Sequence, residues 1–428
     1  MGSQTGTCYD DRRCIRASPV SRVGRCVLEN EHREVEPAGQ VPYLTAPPGI
    51  GGRLREAPED FEVEEVPLYL PTGHGEHTLF AIEKRGIPTA AAIQRLAGVT
   101  GVSASRFSSA GLKDAQAVAR QTLSVHGVAP EQLRNLELDG VKVLWAERHR
   151  NRLKIGHLAA NRFRIRIRGV EREALSHAET IMDELAQRGA PNGFGYQRFG
   201  ATGQNHELGR LLVTGNVDGF LACYLGEVKG DLASAEARSL FARGDWEAAL
   251  GAWPRHLAIE RRVLQRLIST GRADDAMRAL PRGLRRFLIS AYQAYLFNCL
   301  LAARMPSIGV LERGDLAIKH VNGAFFEVQD PVKEQPRADA LEISPSGPLY
   351  GPKVRLGRGE PGARERALLA DEGIELVRFG SLSPGGRRPF RAPLKDVGVA
   401  WDDGVVVRFE LPPGSFATSV LREITKTF

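Results

Sequence analysis

Arg162-Phe163-Arg164-Ile165-Arg166-Ile167-Arg168 alternates guanidinium and apolar side chains without a break. A period of two belongs to a β-strand, because successive side chains leave it on opposite faces. The heptad therefore reads as a strand with Phe163, Ile165 and Ile167 turned to a core and four arginines on the other face. It closes a longer basic ribbon: residues 148–168 contain eight Lys or Arg, two histidines (His149 and His157) and no acidic residue. Like charges on one strand face repel unless an anion lies over them. Carboxylates from neighbouring strands could supply that anion. The phosphates of a nucleic acid are the preferred source, since arginine pairs with them bidentately and each contact releases counterions.

Outward from this strand, 61–66, 78–83, 121–126, 141–145 and 405–411 also carry strand patterning. A short helix is expected at 89–97 with Thr89 as its cap. Another is expected at 171–188, where Leu175, Ala178, Ile181, Met182 and Leu185 recur at helical spacing before Gly189. Residues from about 206 to 305 are rich in Ala, Leu and Arg, with helical periodicity at 257–268 and 287–304. Mixed short strands and loops follow at 310–380, then a Gly/Pro/Arg-rich connector at 380–393 and a terminal helix from about Ala417. Strands at both ends and helices in the middle suggest an inserted second domain. Residues 1–45 lack periodicity and read as a disordered extension.

A chain of 428 residues exceeds one comfortable core, so two lobes are expected. Its 42% hydrophobic and 25% charged content suit a soluble globular protein. There is no apolar run of membrane-spanning length and no apolar core for a secretory signal, which points to the cytosol. Five cysteines are too few for a disulfide scaffold, and no Cys/His group has zinc spacing, so free thiols and no metal are expected. The formal charge of +7 says less than its distribution does.

The stretch Ser108-Ser109-Ala110-Gly111-Leu112-Lys113-Asp114-Ala115-Gln116-Ala117-Val118-Ala119-Arg120-Gln121 carries the candidate chemistry. Small residues lead to a glycine, a Lys-Asp pair and a possible helical turn. On local physics alone, Asp114 is most simply a helix N-cap.

The core 110–114 with Gln121 resembles the tRNA pseudouridine synthase D (TruD) family. Four further blocks resemble it too: Pro58-Glu59-Asp60-Phe61-Glu62-Val63-Glu64, Asn161-Arg162-Phe163, Phe194-Gly195-Tyr196-Gln197-Arg198-Phe199-Gly200, and Leu411-Pro412-Pro413-Gly414-Ser415-Phe416-Ala417-Thr418-Ser419-Val420. Five ordered blocks are far more specific than any one of them. The resemblance runs from about Gly51 to the carboxyl end. It implies an α/β (α+β) fold: a catalytic domain of mixed, largely antiparallel sheet with flanking helices (46–188 and 392–428), interrupted by an inserted α/β domain (189–391). It also implies conversion of a tRNA uridine, at the thirteenth position, to pseudouridine. Asp114 would be the essential carboxylate, and no cofactor would be needed, because every atom lost is regained.

Phe61, Asn161 and Phe416 match positions that line the family's uridine pocket, with Phe163 packed beneath. Arg162, Arg164, Arg166 and Arg168 become candidate RNA contacts flooring the cleft. Lys113 and Arg55 are candidates for the cation that holds the carboxylate's charge. A monomer with tRNA as its partner is expected. One departure is Gly193, where the family carries an aromatic residue; a looser start to the insertion or an altered RNA contact is the expected consequence. The alternative is a non-catalytic RNA-binding or RNA-folding protein on the same scaffold, which would need the arginines but not Asp114. A carboxylate-dependent hydrolase is a third reading, but no block supplies its second carboxylate.

Overall fold

The computed structural model describes residues 41–46, 48–134, 136–228 and 231–427. Cys8, Cys14, Cys26 and residues 1–40 of the expected extension lie outside them. Along the chain the strands are β1 (Arg53–Leu54), β2 (Phe61–Pro67), β3 (His77–Arg85), β4 (Phe107–Ser109), β5 (Val118–His126), β6 (Glu137–Leu138), β7 (Val141–His149) and β8 (Leu158–Arg168). After them come β9 (Ala190–Pro191), β10 (Leu316–Lys319), β11 (Phe325–Glu327), β12 (Ile343–Leu349), β13 (Gly386–Pro389), β14 (Arg391–Ala392), β15 (Lys395–Trp401) and β16 (Val405–Leu411). The first eight and the last two form one ten-stranded sheet in the order β15-β16-β8-β2-β5-β3-β7-β6, with β1 against β8 and β4 against β5. Every pairing in it is antiparallel except β2 with β5. That is the expected mixed, largely antiparallel sheet.

The alternating arginine heptad lies at the sheet's heart, in β8 between β2 and β16. Ile165 and Ile167 are fully buried, as the alternation requires. Helix α1 (Thr89–Thr100) lays Ala92 and Leu96 against Phe80, Ile82 and Leu123. Helix α2 (Pro130–Leu133) adds Leu133 to the same cluster. At the other end, α3 (Ala174–Arg188) buries Ala178, Ile181, Met182 and Leu185 and packs on β15 and β16. Each large apolar side chain so buried stabilises the fold by roughly 1.5–3 kcal/mol. Thr89 is not a cap: Pro88 holds that position, and the threonine hydroxyl is spent elsewhere.

Chain 189–391 leaves the large sheet and returns to it, its two ends pinned by antiparallel pairing of Ala190 with Ala392 and Pro191 with Arg391. Its middle is helical: α4 (Asn205–Thr214), α5 (Val217–Leu225), α6 (Ala235–Ala242), α7 (Trp246–Ala252), α8 (Ala258–Thr270), α9 (Ala273–Arg278) and α10 (Arg282–Arg304). Helices α11 (Pro331–Asp339) and α12 (Gly359–Asp371) accompany a four-stranded sheet, β11-β10-β12-β13. Strands β13 and β14 occupy part of what reads in sequence as a connector at 380–393; Arg387, Arg388, Pro389 and Arg391 there are strand residues rather than a linker.

By compactness the molecule divides differently from the expected 189–391 insertion. Of the described residues, one unit holds those of 196–293 and 374–384, and the other those of 41–195, 294–373 and 385–427. The first unit is built on Phe220, Leu221, Leu225, Trp253, Val263, Leu264 and Leu267. Within it, Gly209 of α4 faces the Leu288 carbonyl and Tyr292 of α10 so closely that any Cβ would clash. In the second unit the four-stranded sheet is tied by a buried ion pair between Arg387 and Glu365 at 2.8 Å.

The expected extension also needs a correction at its last residues. Val41, Leu44 and Thr45 are buried, and the terminal helix α13 (Ala417–Thr425) holds them: Arg422 donates to the Val41 carbonyl, and a carboxylate meets Leu44 and Thr45. Glu423 is wholly buried. It accepts hydrogen bonds from the Leu44 N–H at 3.0 Å, the Thr45 N–H at 3.0 Å and the Thr45 hydroxyl at 2.8 Å. Replacing Glu423 by Ala leaves three buried donors without an acceptor, and should lower unfolding stability by about 3 kcal/mol in urea titration. Stability within about 0.5 kcal/mol of the original would show that 41–45 does not contribute to the core.

Candidate active site

Asp114 lies in the loop joining β4 to β5, and no helix follows it: the chain passes directly into the strand at Val118. The expected cap role shrinks to one local bond, the Gln116 N–H donating to Asp114 Oδ1 at 3.1 Å. The other oxygen, Oδ2, meets Arg55 Nη2 at 2.7 Å. The carboxylate is 29% exposed, so a ligand can reach it.

Of the two cations expected beside Asp114, Arg55 is the one that pairs with it. Arg55 has φ 61°, a left-handed conformation that costs a non-glycine residue of order 1 kcal/mol. In that conformation its guanidinium also stands 4.5 Å over the Phe61 ring. Lys113 turns away: its ammonium lies 3.0 Å from Glu65 Oε2 and donates to Asn161 Oδ1 at 2.7 Å.

The loop backbone is held from below. The Lys113 N–H donates to Thr89 Oγ1 at 3.1 Å, and that hydroxyl donates to Gln121 Oε1 at 3.0 Å. Lys84, with no exposed surface, donates its ammonium to the carbonyls of Asp114 and of Ile87, the latter at 2.8 Å. Burial pushes the Lys84 ammonium down to about 8, against the partial support of Asp114. Burial likewise pushes the Glu65 carboxyl up, and Lys113 only partly offsets it.

Sequence reasoning passed over both Lys84 and Glu65, although a signal existed. Glu65 falls on the apolar register of Phe61 and Val63, and Lys84 on that of Phe80 and Ile82. A charge on the inward register of a strand needs a buried partner.

Strand register decides which predicted site residues meet. Val63 pairs with Phe163 and Glu65 with Asn161, while Phe409 and Leu411 stand opposite the same two residues of β8. Phe61, Glu65, Asn161 and Phe163 thus share the face on which Asp114 sits. Phe61 is buried, edge-on to Phe163 at 6.1 Å, and Phe163 stacks on Phe409 at 5.3 Å. Phe61 therefore carries the Arg55 guanidinium rather than baring its own ring. Phe416 is 43% exposed and belongs to a second aromatic group. Its ring lies 6.1 Å from Phe194, and the Arg388 guanidinium stands 4.3 Å over Phe194 and 5.6 Å from Phe416. Arg388 donates to the Asn192 carbonyl at 2.8 Å and to the Gly414 carbonyl at 2.9 Å, so it ties the two segments together. Nothing in its sequence context marked Arg388. At Gly193, a Cβ would meet Asn298, Leu301 and Val41 at 3.4–3.5 Å. The expected loosening is countered there, since the Asn298 side-chain amide bonds both the N–H and the carbonyl of Phe194 at 2.9 Å.

The arginines of the ribbon already have partners within the chain. Glu62 pairs with Arg164 and Glu64 with Arg162 across the strands, on the face opposite Asp114. Every one of the four meets carboxylates: Arg162 meets Glu410 at 3.4 Å, and Arg164 meets Glu62 and Asp402, each at 2.9 Å. Arg166 lies 3.6 Å from Asp60 and also bonds Asp402. Arg168 lies 2.8 Å from Asp60 and also bonds Asp403. Burial would raise the Asp60 carboxyl, yet Arg168 and the Ala57 N–H bring it below its ordinary range. The protein's own carboxylates lie over this strand, on the sheet face opposite Asp114.

The family model described as tRNA pseudouridine synthase D (TruD) matches residues 38–424. A tRNA pseudouridine synthase D of Geobacter metallireducens is 47% identical over 401 residues, covering 91% of this chain and 98% of that protein. One of Anaeromyxobacter dehalogenans is 39% identical over 392 residues, covering 90% and 96%. A crystal structure from Methanosarcina mazei, described under the same enzyme name, superposes with a TM-score of 0.78 at 28% identity, covering 91% of this chain and 97% of that one.

The buried lysine can be tested by pH. Folded Lys84 releases its proton near 8, whereas an unfolded lysine keeps it to about 10.5. Between those values the unfolded chain binds more protons, so the folded state gains stability as pH rises, and the penalty is fully present below 8. Relative to Lys84→Met, the original chain should gain about 2 kcal/mol between pH 7.5 and 10. Parallel urea curves at both pH values would refute a buried ammonium at this position.

Proposed function

Because the chain belongs to the tRNA pseudouridine synthase D family and isomerises uridine in tRNA to pseudouridine, we propose that Asp114 is its catalytic carboxylate and the uridine at the thirteenth position its target. The observation that carries the reading is the setting of Asp114. It is a reachable carboxylate whose two oxygens are oriented by Arg55 and the Gln116 N–H, on a backbone clamped from beneath.

The isomerisation breaks the bond from the sugar to N1 of uracil and makes one from the sugar to C5. C5 loses a proton and N1 gains one, so the balance needs no external oxidant or reductant. A carboxylate can serve such a sequence by attacking the sugar carbon or the uracil ring, or by taking a proton from the sugar. Each route requires a fixed carboxylate oxygen that keeps a lone pair free for the substrate, and the two contacts to Arg55 and the Gln116 N–H leave one on each oxygen. The target must be everted from its stack, at roughly a few kcal/mol.

Within this reading Asn161 holds the uracil. Its Oδ1 already accepts from Lys113, which aims the amide Nδ2 at an incoming carbonyl. Phe416, substantially exposed, offers a stacking face for a base, while Phe61 and Phe163 support Arg55 and the floor. A tRNA substrate suits a cytosolic enzyme. Among the described residues no helix is long and apolar enough to cross a membrane.

Asp114→Asn should bind tRNA yet form no detectable pseudouridine, a loss of more than about 1000-fold. Mapping of modified tRNA decides this, and undiminished conversion would remove the chemistry from Asp114. Phe416→Ala should lower kcat/KM by roughly 10- to 100-fold, the worth of one stacked base. An unaltered value would assign Phe416 to packing alone.

A further inference from the structure

The basic ribbon has a second half. The loop between β7 and β8, residues 150–157, carries Arg150, Arg152 and Lys154, all exposed. Among the described residues none of these three pairs with a carboxylate, in contrast to the four arginines of β8. What holds them is neutral. Arg150 donates to His74 Nε2 at 2.6 Å, and His74 keeps its own proton on Nδ1 by donating to the Thr72 carbonyl at 2.8 Å. Arg152 donates to the Ser105 and Phe107 carbonyls at 3.4 and 3.3 Å. Such acceptors orient a guanidinium without cancelling its charge. The unrelieved field shows in a neighbour: after burial itself, Arg150 depresses the His149 imidazole.

The loop is rigidly seated beside the reactive one. Leu153 is buried against Ala110 and Leu158, and its N–H donates to Ser124 Oγ at 2.9 Å. The Gly156 N–H donates to the Ala110 carbonyl at 2.8 Å. Asp114 is four residues further on, at most about 14 Å of extended chain. Leu112 and Ile155, 83% and 88% exposed, stand on the two loops so joined. Apolar faces interleaved with cations suit a nucleotide chain better than a small anion.

We propose that the 150–157 loop is a phosphate-binding platform for tRNA, in which Arg150, Arg152 and Lys154 grip the backbone flanking the uridine presented to Asp114. This rests on the chain acting on tRNA through Asp114.

The test uses the full chain as Asp114→Asn, so that tRNA binds without turnover, and reads affinity against KCl concentration. Adding Arg150→Gln, Arg152→Gln and Lys154→Gln together should flatten the slope of log affinity against log salt by about 2–3, at roughly 0.7–0.9 for each phosphate no longer neutralised. Affinity at moderate salt should fall by on the order of 100-fold. In the otherwise native enzyme the triple variant should raise KM and spare kcat, as loss of uniform binding does. Arg162→Gln, from the neutralised face, should leave the slope as it was. Should the triple variant melt early, Lys154→Gln alone must still flatten the slope by about 0.7–0.9. An unchanged slope in these loop variants, with the native enzyme forming pseudouridine, overturns the platform and leaves the enzyme reading intact. A native enzyme that forms no pseudouridine in tRNA overturns the reading beneath it.

Discussion

Side chains leave a strand alternately to its two faces, and β8 applies this constraint at the centre of the sheet. Asn161, Phe163, Ile165 and Ile167 point one way, towards Phe61, Glu65 and the loop that bears Asp114. Arg162, Arg164, Arg166 and Arg168 point the other way, into carboxylates. A slip of one residue in the pairing with β2 would exchange the two sets and put guanidiniums under the reactive loop. The buried isoleucines forbid it, since they would be driven into water. Packing energy in the core therefore maintains the chemical separation of the faces.

On the Asp114 face the protein spends buried cations on geometry. An unpaired ammonium inside a fold is costly. Lys84 meets that cost with two main-chain carbonyls, and Lys113 with Glu65 and Asn161. Both lysines are thus committed to the frame, and only Arg55 is left to meet the carboxylate. The division is physically sensible. A loop bonded at the Lys113 N–H and at the Ala110 and Asp114 carbonyls resists relaxing when a ligand arrives, so the Asp114 carboxylate stays aimed. The left-handed backbone at Arg55 is part of the same arrangement, since it turns the guanidinium back over Phe61 and onto Asp114.

Some of this was legible in the residue order. The long periodic segments were: 61–66, 78–83, 121–126 and 405–411 are strands, and 171–188, 257–268 and 287–304 are helical over most of their length. Weak local signals misled. Thr89 has a capping side chain, but it stands inside the helix's first turn with Pro88 at the cap position, and its hydroxyl bridges Lys113 and Gln121. The small residues after Asp114 suggest a helical turn, yet β5 begins at Val118 because pairing with β2, β3 and β4 outweighs local propensity. Val41, Leu44 and Thr45 lack periodicity, and their order comes from Arg422 and Glu423, nearly four hundred residues away.

Residue order carries the alternation of β8, the ordered blocks that mark the family, and Asp114 as the residue on which the chemistry is proposed to turn. Tertiary structure alone decided which cation meets that carboxylate, and which half of the basic ribbon is already neutralised. The physical reason is the range of each force. Periodicity and propensity act between residues a few positions apart, so they are written in local order. An ion pair depends on separation in space. Arg164 and Asp402 stand 238 positions apart in the chain and 2.9 Å apart in the fold, a proximity that only the completed sheet creates.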